Sequence, residues 1–201
     1  MKINPKTTAL LIINMTNDLV GWGGVQSLVP RLQRLLDRAR KSSMMVIFSS
    51  LAFCDRGSDS GQLGIYWAPI GKGEVLVKGT DGVEILRELS PKPGEPVLQR
   101  NRYRAFFNSD LDRILHDNAV ETIVICGYST NFCCDSTVRD ANFRDYKVIV
   151  LEDGTAPIAL QDSDGQTISA AQVQKTVLAN LGRGFAQIVT VDEVISALDK
   201  T

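Results

Sequence analysis

Residues 122–141, TIVICGYSTNFCCDSTVRDA, place two cysteines, Cys133 and Cys134, just after a short polar elbow. A cysteine sulfur so presented can attack an acyl carbon and carry the acyl group as a thioester. The run before it, Thr122-Ile123-Val124-Ile125-Cys126, is apolar and β-branched and reads as a strand buried on both faces. Gly127 ends that strand, Tyr128-Ser129-Thr130-Asn131 turns the chain, and Cys133, Thr137, Val138 and Ala141 follow at helical spacing. Cys133 therefore opens a helix, where unpaired backbone N–H groups and the positive end of the dipole favour thiolate over thiol. The plainer reading is that both cysteines are small core residues, since free cysteine is among the most buried types.

The elements that must position this sulfur alternate along the chain. Strand-like runs at 9–13, 46–48, 97–99, 122–126, 148–151 and 186–189 are separated by helical patterns at 27–41, 83–89, 110–117, 167–181 and from Thr190 to Leu198. Asn108 or Ser109 can cap the helix at 110–117, and His116 near its end suits a surface position that compensates the dipole. The turn after the first strand carries Gly21, Gly23 and Gly24. The alternation predicts an α/β fold: a three-layer, doubly wound, six-stranded parallel sheet of order 3-2-1-4-5-6. Ligands in such a sheet sit beyond the carboxyl ends of the strands, where strand order reverses. The polar residues ending strands one, three and four are Asn14, Arg100 and the elbow before Cys133, and these converge on one crevice. Tyr103, Tyr128 and Phe132 are candidate substrate-binding walls, with Phe53 from the long segment 49–78. That segment also carries Tyr66 and Trp67, and its length favours a functional role. Its Gly71-Lys72-Gly73 lacks the strand before it and the Ser or Thr after the lysine that a phosphate loop needs.

Charge and composition remove other classes. With 22 basic and 23 acidic residues and no recurring basic stripe, neither nucleic acid nor a membrane surface is an expected partner. The N-terminal apolar run is too short and too soon interrupted for a signal peptide or a span, which predicts a cytoplasmic protein. At 201 residues one domain, 1–201, is expected. Four cysteines without CxxC spacing fit reduced thiols, and a lone histidine, His116, excludes HExxH-type zinc sites.

Three segments together, ALLIINMTNDLV, RNRYRAFFNSDL and ICGYSTNFCCDSTVRDANFRDYKVIVLEDGTA, resemble the isochorismatase-like cysteine hydrolases. That family includes nicotinamidases, N-carbamoylsarcosine amidase and ureidoacrylate amidohydrolases, and the resemblance runs from about Ala9 to Leu198. It implies homodimers or homotetramers, an Asp, Lys and Cys triad, a cis peptide at Tyr128-Ser129, and an oxyanion hole from the backbone N–H groups of Ser129 and Cys133. Only the cysteine carries over: the family's aspartate falls on Asn14 and its lysine on Arg100. Neither replacement can shuttle a proton. Their sum of plus one favours thiolate at Cys133 or an anionic ligand. Asp18 is a weaker substitute base. The nicotinamidase-type metal cluster needs histidine after the second strand, and residues 49–60 hold none, so neither metal nor cofactor is expected.

Three readings follow. The first is hydrolysis of a small amide or ureido-type C–N substrate through a Cys133 thioester, with Asn14 and Arg100 as atypical triad members. The second is an impaired relative that binds an anionic small molecule. The third is a non-thiol hydrolase of the isochorismatase type, against which Asn14 counts.

Overall fold

The computed structural model describes residues 2–21 and 25–200, so Gly23 and Gly24 lie outside the described residues. In chain order the elements are β1 (Thr8–Ile13), α1 (Asn17–Val20), α2 (Val29–Lys41), β2 (Met45–Leu51), α3 (Gln62–Tyr66) and α4 (Ala68–Gly71). Then come β3 (Val97–Arg100), α5 (Leu111–Asp117), β4 (Thr122–Tyr128), α6 (Asp135–Phe143) and β5 (Lys147–Ala156). The chain closes with β6 (Leu160–Gln161), β7 (Thr167–Ile168), α7 (Ala170–Gly184), β8 (Gln187–Val189) and α8 (Val191–Leu198).

Six strands form one parallel sheet in the order β3-β2-β1-β4-β5-β8. The continuous apolar runs of β1 and β4 put them at its centre, where every residue of β1 is buried. From there the chain steps one way through α2 to β2 and the other way through α6 to β5. Right-handed crossovers in opposite directions set these helices on opposite faces. α2 buries Leu32, Leu35, Leu36 and Ala39 and packs on α8, whose Thr190 and Glu193 form a capping box. α6 buries Thr137, Val138 and Ala141, the face that the spacing predicts.

The structure corrects several expected boundaries. Residues 83–89 are not a helix: two 3₁₀ turns, Asp81–Val83 and Arg87–Leu89, flank an extended Ile85 that bridges Thr16. The fifth strand does not close at Leu151, because Thr155 and Ala156 re-pair with Gly127 and Tyr128 after an irregularity. Thr167 and Ile168 do not begin a helix. They pair with Leu160 and Gln161 as a hairpin, and the capping box of Ser169 with Gln172 starts α7 beyond them. Nor does Gly127 end β4. Its φ of +111° keeps the strand beside β1 at a point where any Cβ would collide with the Ile13 carbonyl.

Candidate active site

Asn14 leaves β1 with a φ of +53°, a left-handed conformation that asparagine tolerates better than most residues. Its N–H still donates to the Ser49 carbonyl at 2.7 Å, so the turn starts from the sheet and the side chain faces inward, 1% exposed. Oδ1 accepts from the Leu51 N–H at 3.0 Å and from Arg100 Nη2 at 3.2 Å. With both donors on the oxygen, the amide has one orientation, and Nδ2 donates to Cys133 Sγ at 3.0 Å.

Arg100, the last residue of β3, is 2% exposed. Its Nε donates to Ser49 Oγ at 3.0 Å and its Nη1 to the Arg102 carbonyl at 2.9 Å. All of these acceptors are neutral. Among the described residues no carboxylate lies within ion-pair distance of this guanidinium. A buried cation without an anion is strongly disfavoured. Through the single amide of Asn14 the guanidinium is linked to the Cys133 sulfur.

Cys133 itself, 2% exposed, does not open the α-helix as expected. It lies in a π turn, Thr130–Cys134, that begins after Ser129 and runs into α6. The wider turn is visible in Cys134 N donating to the Ser129 carbonyl at 3.0 Å, five residues back. The Tyr128-Ser129 peptide is cis. Thr137 fixes the sulfur's own backbone: its Oγ1 donates to the Cys133 carbonyl at 2.6 Å and accepts from the Ala105 N–H at 3.0 Å. The hydroxyl thereby ties the arginine and aromatic segment after β3 to the cysteine turn. Burial pushes the neighbouring thiols of Cys126 and Cys134 up, away from thiolate.

A cavity of about 210 Å³ is lined by Asn14, Ser129 and Cys133. Tyr103, Tyr128 and Phe132 line it too, the rings of Tyr103 and Phe132 packing at 5.2 Å between centroids. Burial, and then the charge of Cys133, push the Tyr103 and Tyr128 hydroxyls above their ordinary range. Arg100 is brought to Asn14 but does not reach the cavity, because it is turned inward by Ser49 and the Arg102 carbonyl. The expectation that Phe53 is a wall is corrected: it is core, bridging Val77 in parallel register just past the end of β2. Asp18 is also elsewhere, its carboxylate accepting from the Leu76 N–H at 2.6 Å.

The lining residues that sequence reasoning missed are Leu19, Leu51, Tyr66, Trp67 and Ile158. Tyr66 and Trp67 were foreshadowed by the length of their segment. Ile158 had no such signal: the Asn131 amide holds it, donating to its carbonyl at 3.1 Å and accepting its N–H at 2.9 Å. Among the described residues no three His, Cys, Asp or Glu side chains cluster as a metal site would need. No helix among them is long and apolar enough to cross a membrane.

Known proteins share this arrangement of elements. A cysteine hydrolase from Pseudomonas syringae pv. phaseolicola superposes with a TM-score of 0.90 at 32% identity, over 100% of this chain and 96% of that one. The N-carbamoylsarcosine amidase of Thermoplasma acidophilum, 24% identical with a TM-score of 0.75, shares the fold over 96% of this chain and 98% of its own. The ureidoacrylate amidohydrolase RutB of Caulobacter segnis is 33% identical over 211 aligned residues, covering 94% of this chain and 84% of that protein. The isochorismatase domain model matches residues 8–193, a span that includes β1, the arginine at the end of β3, the cysteine turn and the sheet carrying them, and the chain therefore belongs to the isochorismatase family.

Proposed function

We propose that this protein is a cysteine hydrolase of small amide or ureido-type C–N compounds, acting through a Cys133 thioester. The observation that carries the reading is the buried line from Arg100 through the Asn14 amide to Cys133 Sγ, which ends in the cavity. In this reading Cys133 attacks as the thiolate whose charge balances Arg100, and Asn14 holds the sulfur toward the substrate. The Ser129 and Cys133 N–H groups receive the carbonyl oxygen as it becomes an oxyanion. Tyr103, Tyr128 and Phe132 enclose the acyl group. The similarity to an amidohydrolase named for ureidoacrylate and to a cysteine hydrolase supports the bond class.

Anion binding by Asn14 and Arg100 is the poorer reading, because the guanidinium donates inward to protein oxygens.

The test is intact-mass analysis after incubation with a panel of small amides, ureas and carbamoyl compounds, with ammonia release measured in parallel. An acyl adduct confined to the Cys133 peptide is expected, and Cys133→Ala should lose both adduct and product by at least about a thousandfold. Binding of the panel without any adduct, or product formation that survives Cys133→Ala, overturns the proposal.

A further inference from the structure

Two consecutive residues in the first turn of α6 reach back to the backbone on either side of Cys133. Ser136 Oγ donates to the Phe132 carbonyl at 2.5 Å, and Thr137 Oγ1 donates to the Cys133 carbonyl at 2.6 Å. These carbonyls belong to the two peptides that meet at the Cys133 Cα, one before it and one after. A peptide unit is planar, so holding each oxygen restrains its plane, and the two planes together restrain φ and ψ of Cys133. In the first of them the Phe132 carbonyl is trans to the Cys133 N–H, so the Ser136 hydroxyl also sets the direction of that N–H. The Asp135 N–H shares the Phe132 carbonyl where the π turn passes into α6. A hydroxyl bonded four residues back is a common feature of helices. Thr137 adds to it: fully buried, its oxygen also accepts the Ala105 N–H at 3.0 Å, which leaves its one proton for the Cys133 carbonyl. The segment that supplies Ala105 starts at Arg100, which holds Asn14, which holds the sulfur. Residues 100–105 thus grip Cys133 twice, at its sulfur and at its carbonyl.

We infer that Ser136 and Thr137 are positioning residues, a hydroxyl pair that aims the Cys133 N–H at the oxygen of the acyl group under attack. The inference rests on the reading of Cys133 as nucleophile and of its N–H as an oxyanion donor. Neither side chain is among the described residues lining the cavity, so the pair acts through the Cys133 backbone and not on the substrate. The labour around this one residue is then divided. The Asn14 amide orients the sulfur that attacks, and the hydroxyl pair orients the donor that receives the charge. A donor turned off line weakens steeply, because a hydrogen bond depends on angle as well as distance. Complete loss of one oxyanion donor costs about 10²- to 10³-fold. Thr137→Val keeps the shape of the side chain but takes away the hydroxyl and strands the Ala105 N–H, whereas Thr137→Ser keeps both hydrogen bonds. Ser136→Ala is the milder change, since the Asp135 N–H still holds the Phe132 carbonyl.

The experiment compares two reactions of Cys133 in the full chain, each followed by intact and peptide mass. Acetylation by 4-nitrophenyl acetate passes through an oxyanion: the thiolate bonds the acetyl carbon and 4-nitrophenolate leaves. Alkylation by iodoacetamide does not: the thiolate bonds the methylene carbon and iodide leaves. Thr137→Val should slow acetylation about tenfold and Ser136→Ala about threefold, with alkylation within about twofold of wild type in both. Thr137→Ser should restore most of the acetylation rate. If Thr137→Val does not fold, Ser136→Ala carries the same comparison at a half-buried position. Equal slowing of both reactions, or acetylation unchanged in the folded variants, overturns the inference and leaves the hydroxyls a structural role alone. If instead the wild-type chain is not acetylated at Cys133, or Cys133→Ala is acetylated as fast, it is the nucleophile reading that falls, and the inference with it.

Discussion

The two sides of the Cys133 sulfur are built from opposite materials. Behind it polar side chains hold one another: Asn14 holds the sulfur, the Leu51 N–H and Arg100 hold Asn14, and Ser49 and the Arg102 carbonyl hold Arg100. In front lie rings and aliphatic groups, among them Tyr66, Trp67, Phe132 and Ile158, with no carboxylate or amine among the described lining residues. The guanidinium thus lies inside the sheet, at its strand ends, while the facing wall contributes shape. The difference teaches that the groups able to fix the sulfur and the groups able to shape a ligand come from different parts of the fold.

The sharpest way to break that comparison is to put proton carriers back behind the sulfur. Asn14→Asp combined with Arg100→Lys should raise turnover of a simple amide by about a hundredfold, and by more than the two single changes would combine to give. Steady-state ammonia release measures it. If the wild-type chain already turns over a simple amide at about 1 per second or faster, and the double change abolishes this, the inner side holds a proton path and the comparison fails. A smaller effect is expected from removing the charge alone. Arg100→Gln should slow alkylation of Cys133 by iodoacetamide at pH 7 about tenfold, read by peptide mass against Cys54 as the half-buried reference. Unchanged alkylation would mean that the cation does not act on the sulfur. The smallest effect belongs to the outer side: Tyr66→Ala should raise KM about fivefold and leave kcat unchanged. Its stability should stay within about 0.5 kcal/mol of wild type, because the ring is mostly exposed. A drop in kcat instead would give this residue a role in the chemistry.

How much of this was legible in the sequence follows the same division. Asn14, Arg100 and Cys133 stand where apolar strands end, and a parallel sheet aligns those ends, so their meeting could be read from pattern alone. The pattern could not show that Arg100 stops behind Asn14. Strand position gives the origin of a side chain but not the partners that turn it, here Ser49 and the Arg102 carbonyl. Phe53 misled because it follows a strand in a segment of functional length, yet the bridge to Val77 continues the sheet and turns the ring into the core. The hairpin was missed because Thr167 and Ile168 fit the helical period of α7. The local signal was Ser169 with Gln172, a capping box that dates the helix start to after those residues.

Asn131 makes two hydrogen bonds to Ile158, and these fasten the outer wall to the cysteine turn at one point. Beyond that point the chain runs into the exposed hairpin of β6 and β7, whose residues 160–166 make no part of the cavity lining. The attachment therefore behaves like a socket. Lengthening or shortening the hairpin is expected to leave Ile158 and the sulfur in their places, which makes this stretch a tolerant site for insertions.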